Sequence, residues 1–228
     1  AASTLVGEHR RFSQSAASTL TRRQLDSFVE IVGEIGQILD RNLYRAGELV
    51  TNFKQLAVDQ SSYQRRTFDL RELVHEVLLA MRPSVRKTSH RIQEDVAEDL
   101  RIDSYPGPLG QVLINLINNA LIHAFKDQDA GEITIAARAE DESWIVLQVH
   151  DSGRGIPEEN RKHIFDPFFT TRLGQGGSGL GLHIVHTLIV ELLGGQIQVS
   201  SEIGHGTTFS LRLPRIAPDV ENSEMSKN

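Results

Sequence analysis

The sequence contains no cysteine. Disulfides and thiolate metal sites are therefore excluded, and a reducing compartment fits. Aromatic residues are few, 6% of 228 residues: one Trp, three Tyr and nine Phe. No apolar run approaches the roughly 18 residues that a membrane span requires, and no basic-then-apolar leader opens the chain. Basic residues form no block, and the net charge is −6, so a general nucleic-acid surface is excluded. Apolar residues make up 39%, enough for a true core, and charged residues 24%, the balance of a water-facing globular chain. The chain opens at Ala1 without Met, which leads us to expect a portion of a longer protein.

Three parts are legible along the chain. Residues 1–62 read as a helical dimerisation segment. From Leu25 to Ala57 apolar residues recur with a heptad-like spacing, one position holding Leu25, Val32, Leu39, Ala46 and Phe53. Three apolar positions per heptad make a wide stripe, suited to a helical bundle, either with a second copy or against the chain's own domain. Residues 63–215 alternate short strands and helices. Strands are expected near 67–70, 91–95, 100–103, 132–139, 144–150, 196–201 and 207–213, the last two a hairpin. Helices are expected over 70–81, ended near Pro83, over 108–125, and over 179–193, stopped by Gly194-Gly195. The fold class is thus α+β, a two-layer sandwich with helices on one face of a mixed sheet. Residues 216–228 read as a polar, disordered tail.

Chemistry concentrates in four places. On the 108–125 helix, Gln111, Asn115, Asn119 and His123 are four apart and share one face among apolar neighbours. Amides buried without partners cost about 1–3 kcal/mol each, so this ridge is expected to face water, a ligand or a metal. An Asn carbonyl suits a hard cation such as Mg²⁺. Directly after the strand ending at His150 comes Asp151-Ser152-Gly153-Arg154-Gly155-Ile156-Pro157, a carboxylate and glycines able to approach a flat ring. The stretch 174–182 holds five glycines in nine residues and opens a helix, a backbone anion site. It lacks the Gly-Lys-Ser/Thr of a Walker A loop and the spacing of a dinucleotide fingerprint. Finally, Gly204-His205-Gly206-Thr207 precedes the last strand, and Phe165-Asp166-Pro167-Phe168-Phe169 lies between the first two loops.

In this order and spacing the set resembles the GHKL superfamily ATP-binding fold (the Bergerat-type sandwich), and within it the catalytic domain of sensor histidine kinases. Asn115–Ala120 is similar to its N box, Asp151–Gly155 to the G1 box, Phe165–Phe169 to the F box, Gly177–Leu182 to the G2 box and Gly204–Thr207 to the third glycine motif. The resemblance implies ATP and Mg²⁺ as ligands, with Asn119 on the metal and Asn115 beside it. It implies Asp151 on the adenine amine, Gly153 and Gly155 shaping the adenine pocket, and Thr207 reaching adenine through water. Gly177, Gly179 and Gly181 would let a lid wrap the phosphates, Arg172 would reach the γ-phosphate, and His123 would pack near it. Ile156, directly after the G1 box, and Phe165, Ser178 and Leu180, within the boxes, join the expected ATP contacts. Ile122 stands where the family often has a charged residue.

Hydrolysing members of the superfamily have a Glu four residues before the metal-binding Asn. Here that position is Asn115, and an amide cannot serve as a base. The resemblance therefore implies a two-component histidine kinase that moves the γ-phosphate to a histidine, with a homodimer through 25–57 and a response-regulator receiver as partners, and a cytoplasmic location for this portion. A superfamily ATPase, a nucleotide-binding scaffold dimer and a serine kinase are the alternatives. No His-Glu followed by Thr-Pro occurs, so the phosphoacceptor is expected outside this chain; His9, in Gly-Glu-His-Arg-Arg-Phe, is expected to be merely exposed. His183 and His186 are expected to be solvated helix positions without a metal.

Overall fold

The computed structural model describes residues 7, 9, 21–57, 64–125, 130–171 and 179–219. They fall into two compact units, α1 in the first and residues 64–170 and 179–219 in the second. Helix α1 (Arg22–Ala57) runs uninterrupted for 36 residues. On its apolar stripe Ile35 is buried, whereas Leu25, Val29 and Leu43 are exposed. His9 is exposed as expected.

The second unit comprises β1 (Arg66–Asp69), α2 (Leu70–Val85), β2 (Arg91–Val96), β3 (Arg101–Ser104), α3 (Pro106–Asn119), β4 (Glu132–Ala139) and β5 (Trp144–Asp151). These are followed by α4 (Glu158–Arg161), α5 (Gly181–Thr187), β6 (Gln196–Glu202) and β7 (Gly206–Pro214). Five strands form one mixed sheet in the order β2-β4-β5-β7-β6, in which β2 and β4 are parallel and the other pairs antiparallel. A separate pair, β1 and β3, is antiparallel.

Alternation along the strands builds the core. In β5, Ile145, Leu147 and Val149 point to one face and are buried, as are Phe209, Leu211 and Leu213 of β7. Against that face lie Leu109, Val112, Leu113, Leu116 and Ile117 of α3, and Ile184, Val185 and Ile189 from α5 and the turn after it. Fully burying each such side chain stabilises the fold by about 1.5–3 kcal/mol. Asp69 caps α2, its carboxylate accepting from the Arg71 and Glu72 N–H groups at 2.8 and 3.4 Å.

Three features depart from the sequence reading. Helix α2 continues two residues beyond Pro83. The missing N–H falls in the last turn, where the Arg86 N–H still reaches the Arg82 carbonyl at 2.9 Å. The 108–125 and 179–193 helices are not regular to their ends: each opens into a π-helical turn, at Ala120–Ala124 and at Leu188–Leu192. Lastly, the domain does not stop at 215. Asp103 donates its N–H to the Arg215 carbonyl at 2.7 Å and accepts from the Ala217 N–H at 2.9 Å, while the Tyr105 hydroxyl donates to the Pro218 carbonyl at 2.9 Å. Ala217 is buried, and Arg65 pairs with both Asp103 and Asp219. Residues 216–219, Ile-Ala-Pro-Asp, are thus part of the packed unit, held by backbone pairing to β3 and by the buried Ala217.

Candidate functional site

Asp151 ends β5 at the middle of the sheet, directly opposite Thr207 of β7. Both are buried, at 6% and 4% exposure. A carboxylate so placed must be satisfied locally. Its Oδ1 accepts the Gly153 N–H at 3.0 Å. Burial nevertheless dominates and pushes the Asp151 carboxyl above the ordinary aspartate range; the Gly153 N–H and nearby His150 pull the other way.

The turn after Asp151 is clamped on two sides. On one, the Arg154 N–H donates to the Ala124 carbonyl at 3.0 Å, and a Cβ on Gly153 would lie 2.5 Å from both the Ala124 Cβ and its oxygen. On the other, the Gly204 N–H donates to the Arg154 carbonyl at 2.9 Å. Gly155 has φ +73°, and a Cβ there would collide with the Glu202 carbonyl. The expected pair of glycines is thus required by close approach at Gly153 and by backbone conformation at Gly155. Ile156, half-buried, packs on the core and donates its N–H to Ser201 Oγ at 2.8 Å.

The ridge on α3 is present. Gln111 Nε2 donates to Asn115 Oδ1 at 3.2 Å. Asn115 Nδ2 and Asn119 Nδ2 are buried and have no partner among the described residues. The backbone of Gly181, at the start of α5, passes beside Asn119: a Cβ there would sit 3.7 Å from both amide atoms of Asn119. Absence of a side chain at Gly181 therefore leaves a cradle at the amide. His123 follows within the π-helical turn, half-buried, so the wider turn and not a fourth α-helical step sets its direction.

Gly179 has φ +71° and lies against the Phe168 backbone, and Leu180 caps α5 and packs on the core. Arg172, Gly177 and Ser178 lie outside the described residues. Phe165 and Phe169 pack on the core, whereas Phe168, at φ +68°, is exposed. The expectation of two solvated histidines is corrected for His183: it is half-buried, and its Nδ1 meets the Phe165 carbonyl at 3.2 Å. His186 is exposed, as expected, and its ring lies 5.4 Å from that of Phe165. Together they tie the Phe165–Phe169 segment to α5. Among the described residues no group of three or more His, Cys, Asp or Glu is placed to hold a metal.

One residue escaped the sequence reading. Ser201 of β6 pairs with Thr207 across the hairpin. Its Oγ donates to the Gly206 carbonyl at 2.9 Å and lies 3.0 Å from Thr207 Oγ1. The signal was available in principle, because a hairpin across 202–206 puts 201 opposite 207.

The model of the family described as "Histidine kinase-, DNA gyrase B-, and HSP90-like ATPase" matches residues 105–217, the span holding every one of these groups. The sensor histidine kinase ZraS of Salmonella typhimurium is 33% identical over 185 residues, 81% of this chain and 38% of that protein. The curated relatives are longer, and this chain spans between 20% and 38% of their length. The solved catalytic domain of histidine kinase ThkA is 34% identical, with a TM-score of 0.59, covering 67% of this chain and 97% of that one. Histidine kinase ThkA in complex with response regulator protein TrrA is 26% identical, with a TM-score of 0.59, covering 93% of this chain and 57% of that one. No helix among the described residues is long and apolar enough to cross a membrane. The α+β sandwich, the buried carboxylate on its glycine turn and the amide ridge agree with these matches: the chain belongs to the histidine kinase-, DNA gyrase B- and HSP90-like ATPase family, as an ATP-binding kinase domain of the sensor histidine kinase type.

Proposed function

We propose that this domain binds Mg·ATP with the adenine amine on Asp151 and passes the γ-phosphate to a histidine of a helical bundle. The observation that carries the reading is the pairing of two otherwise costly features. A carboxylate is buried where it can accept from an amine, and the Asn119 amide is buried without a partner beside the bare backbone of Gly181. Each costs free energy in the empty domain: a nucleotide brings an amine that donates to Asp151 and phosphate oxygens that can accept from Asn119 Nδ2.

In this arrangement Gly153 and Gly155 shape the adenine pocket, Ile156, Phe165 and Leu180 supply apolar contacts, and Thr207 reaches the base. Asn119 would hold Mg²⁺ through its carbonyl oxygen, and Asn115 lies one turn behind. A bound Mg²⁺ would offset the charge of the phosphate oxygens. His123, Arg172, Gly177, Ser178, Gly179 and Gly181 contact or wrap the phosphates. None of Gln111, Asn115 and Asn119 can take a proton from water, which disfavours hydrolysis and favours transfer to a separate nucleophile.

The sequence carries no His-Glu followed by Thr-Pro, so the test supplies the acceptor separately. Chain and labelled Mg·ATP are mixed with a helical bundle bearing that motif. Acid-labile, base-stable phosphate on the bundle is the expected result. Rapid release of inorganic phosphate with no label on the bundle would overturn the kinase reading in favour of an ATPase. Homodimerisation through 25–57 is proposed from the apolar stripe whose Leu25, Val29 and Leu43 are exposed. A response-regulator receiver as partner rests on the TrrA complex of the ThkA kinase, and a cytoplasmic location on the ATP requirement.

A further inference from the structure

Four polar groups meet beside the Asp151 carboxylate. Ser201 Oγ lies 2.8 Å from the Ile156 N–H, 2.9 Å from the Gly206 carbonyl and 3.0 Å from Thr207 Oγ1. A serine hydroxyl has one proton to give and two lone pairs. The Ile156 N–H can only donate and the Gly206 carbonyl can only accept. Pairing every group therefore has one solution. Ser201 gives its proton to Gly206 and accepts from Ile156, and Thr207 must give its own proton to Ser201.

Thr207 is thereby left with lone pairs alone to offer the pocket. Its neighbour across the β5–β7 ladder, Asp151, is ionised when it binds an amine and also offers only lone pairs. A hydroxyl that could have rotated to donate is locked as an acceptor. From this we infer that Ser201 is a positioning residue that fixes the polarity of the base pocket, so that a purine with an exocyclic amine is selected over one with a carbonyl oxygen at the same carbon. The inference rests on the ATP reading above, with Thr207 meeting the base directly in place of the water relay that the resemblance implies, and adds to it a determinant outside the glycine boxes. A site whose groups are all acceptors rejects a carbonyl because both partners would present lone pairs.

The experiment is calorimetric titration of the chain with Mg·ADP and with Mg·IDP, whose base carries the carbonyl. Wild type binds ADP the more tightly. In Ser201→Ala the Thr207 proton is released to turn toward the base. ADP affinity falls, IDP affinity does not fall in step, and the ADP/IDP ratio drops about three- to tenfold, the worth of one neutral hydrogen bond. Ser201→Thr, which keeps the hydroxyl on a strand that tolerates β-branching, restores the ratio. In a Thr207→Val background, with no hydroxyl to orient, Ser201→Ala leaves the ratio unchanged. Should Ser201→Ala not fold, Ser201→Cys is measured in its place, with the same expected loss because its sulfur is a weak acceptor. Equal weakening of both nucleotides would make Ser201 a purely structural tie and overturn the inference while the ATP reading stands. Failure of wild type to bind ADP in Mg²⁺ would overturn both.

Discussion

Replacing Asp151 by Asn tests the base pocket most directly, because the two side chains have nearly the same shape and the surrounding hydrogen bonds dictate how the amide must sit. Oδ1 accepts the Gly153 N–H at 3.0 Å, so an Asn must keep its carbonyl oxygen toward the turn. Its NH₂ group then faces the place of the adenine amine, a donor against a donor. The variant loses a charge-assisted hydrogen bond worth about 1.5–3 kcal/mol, which is roughly ten- to hundredfold in Kd. The empty domain should respond oppositely. Burial raises the Asp151 pKa, so at neutral pH the fold carries an ionised group that it disfavours, and Asn relieves that cost. Titration calorimetry with Mg·ADP and a thermal melt of the nucleotide-free chain read the two effects separately. The expected pair is much weaker binding with a melting temperature equal to or above that of wild type. Affinity within about twofold of wild type in a folded variant would refute the assignment of Asp151 to the base.

The same raised pKa gives nucleotide binding a pH dependence. The ionised form accepts the amine, so ADP affinity is full above the folded pKa of Asp151 and falls as the pH drops through it, starting at a higher pH than an ordinary aspartate would give. By the linkage rule this group's contribution to the stability of the empty domain is complete below its unfolded pKa and is lost as the pH rises through the folded value; Asp151→Asn should flatten both profiles in calorimetry and urea unfolding. Two glycines with similar backbone angles should differ sharply. Gly204→Ala, at φ +82° in open space, should cost about 1–2 kcal/mol in urea unfolding, whereas Gly155→Ala, at φ +73° with the Glu202 carbonyl in the way, should cost more than about 3 kcal/mol or prevent folding. Asn119→Ala should weaken ADP binding in Mg²⁺ and change it little in excess chelator; an equal loss in both would remove Asn119 from the metal.

Local chemistry and strand pattern made most of this domain readable in the sequence. Alternating β-branched residues placed β4 to β7 within one or two residues, and the glycine and amide spacings singled out Asp151, Asn119 and Gly155 as candidates. What escaped depended on tertiary partners. Pro83 reads as a stop, yet a missing N–H in a last turn leaves the helix intact. The π-helical turns at Ala120–Ala124 and Leu188–Leu192 have no compositional signature, since Ala-Leu-Ile-His-Ala would serve equally in an α-helix. Residues 216–219, Ile-Ala-Pro-Asp, head an otherwise polar tail and carry too short an apolar run to show a strand or helix period, and their backbone pairing to Asp103 and the carbonyl given to Tyr105 are set by tertiary contact. Ser201 is one of two adjacent serines in β6, and only the hairpin register tells which of them meets Thr207.

The end of the helix explains how the two ends of the site are joined. Ala124 is the last residue of the helical run, so its carbonyl has no partner within the helix and accepts the Arg154 N–H at 3.0 Å. Gly153 can approach that carbonyl only because it has no Cβ. The turn that orients Asp151 is therefore built directly on the helix that carries Asn119, five residues before Ala124. The opposite side of the same turn accepts the Gly204 N–H and so is fixed to the hairpin that carries Thr207. In the proposed reading, a base at Asp151 and a phosphate group beside Asn119 would thus be positioned by one continuous backbone network. Along α3 that network presents amides and no carboxylate, so it can fix a nucleotide in place without activating water against it.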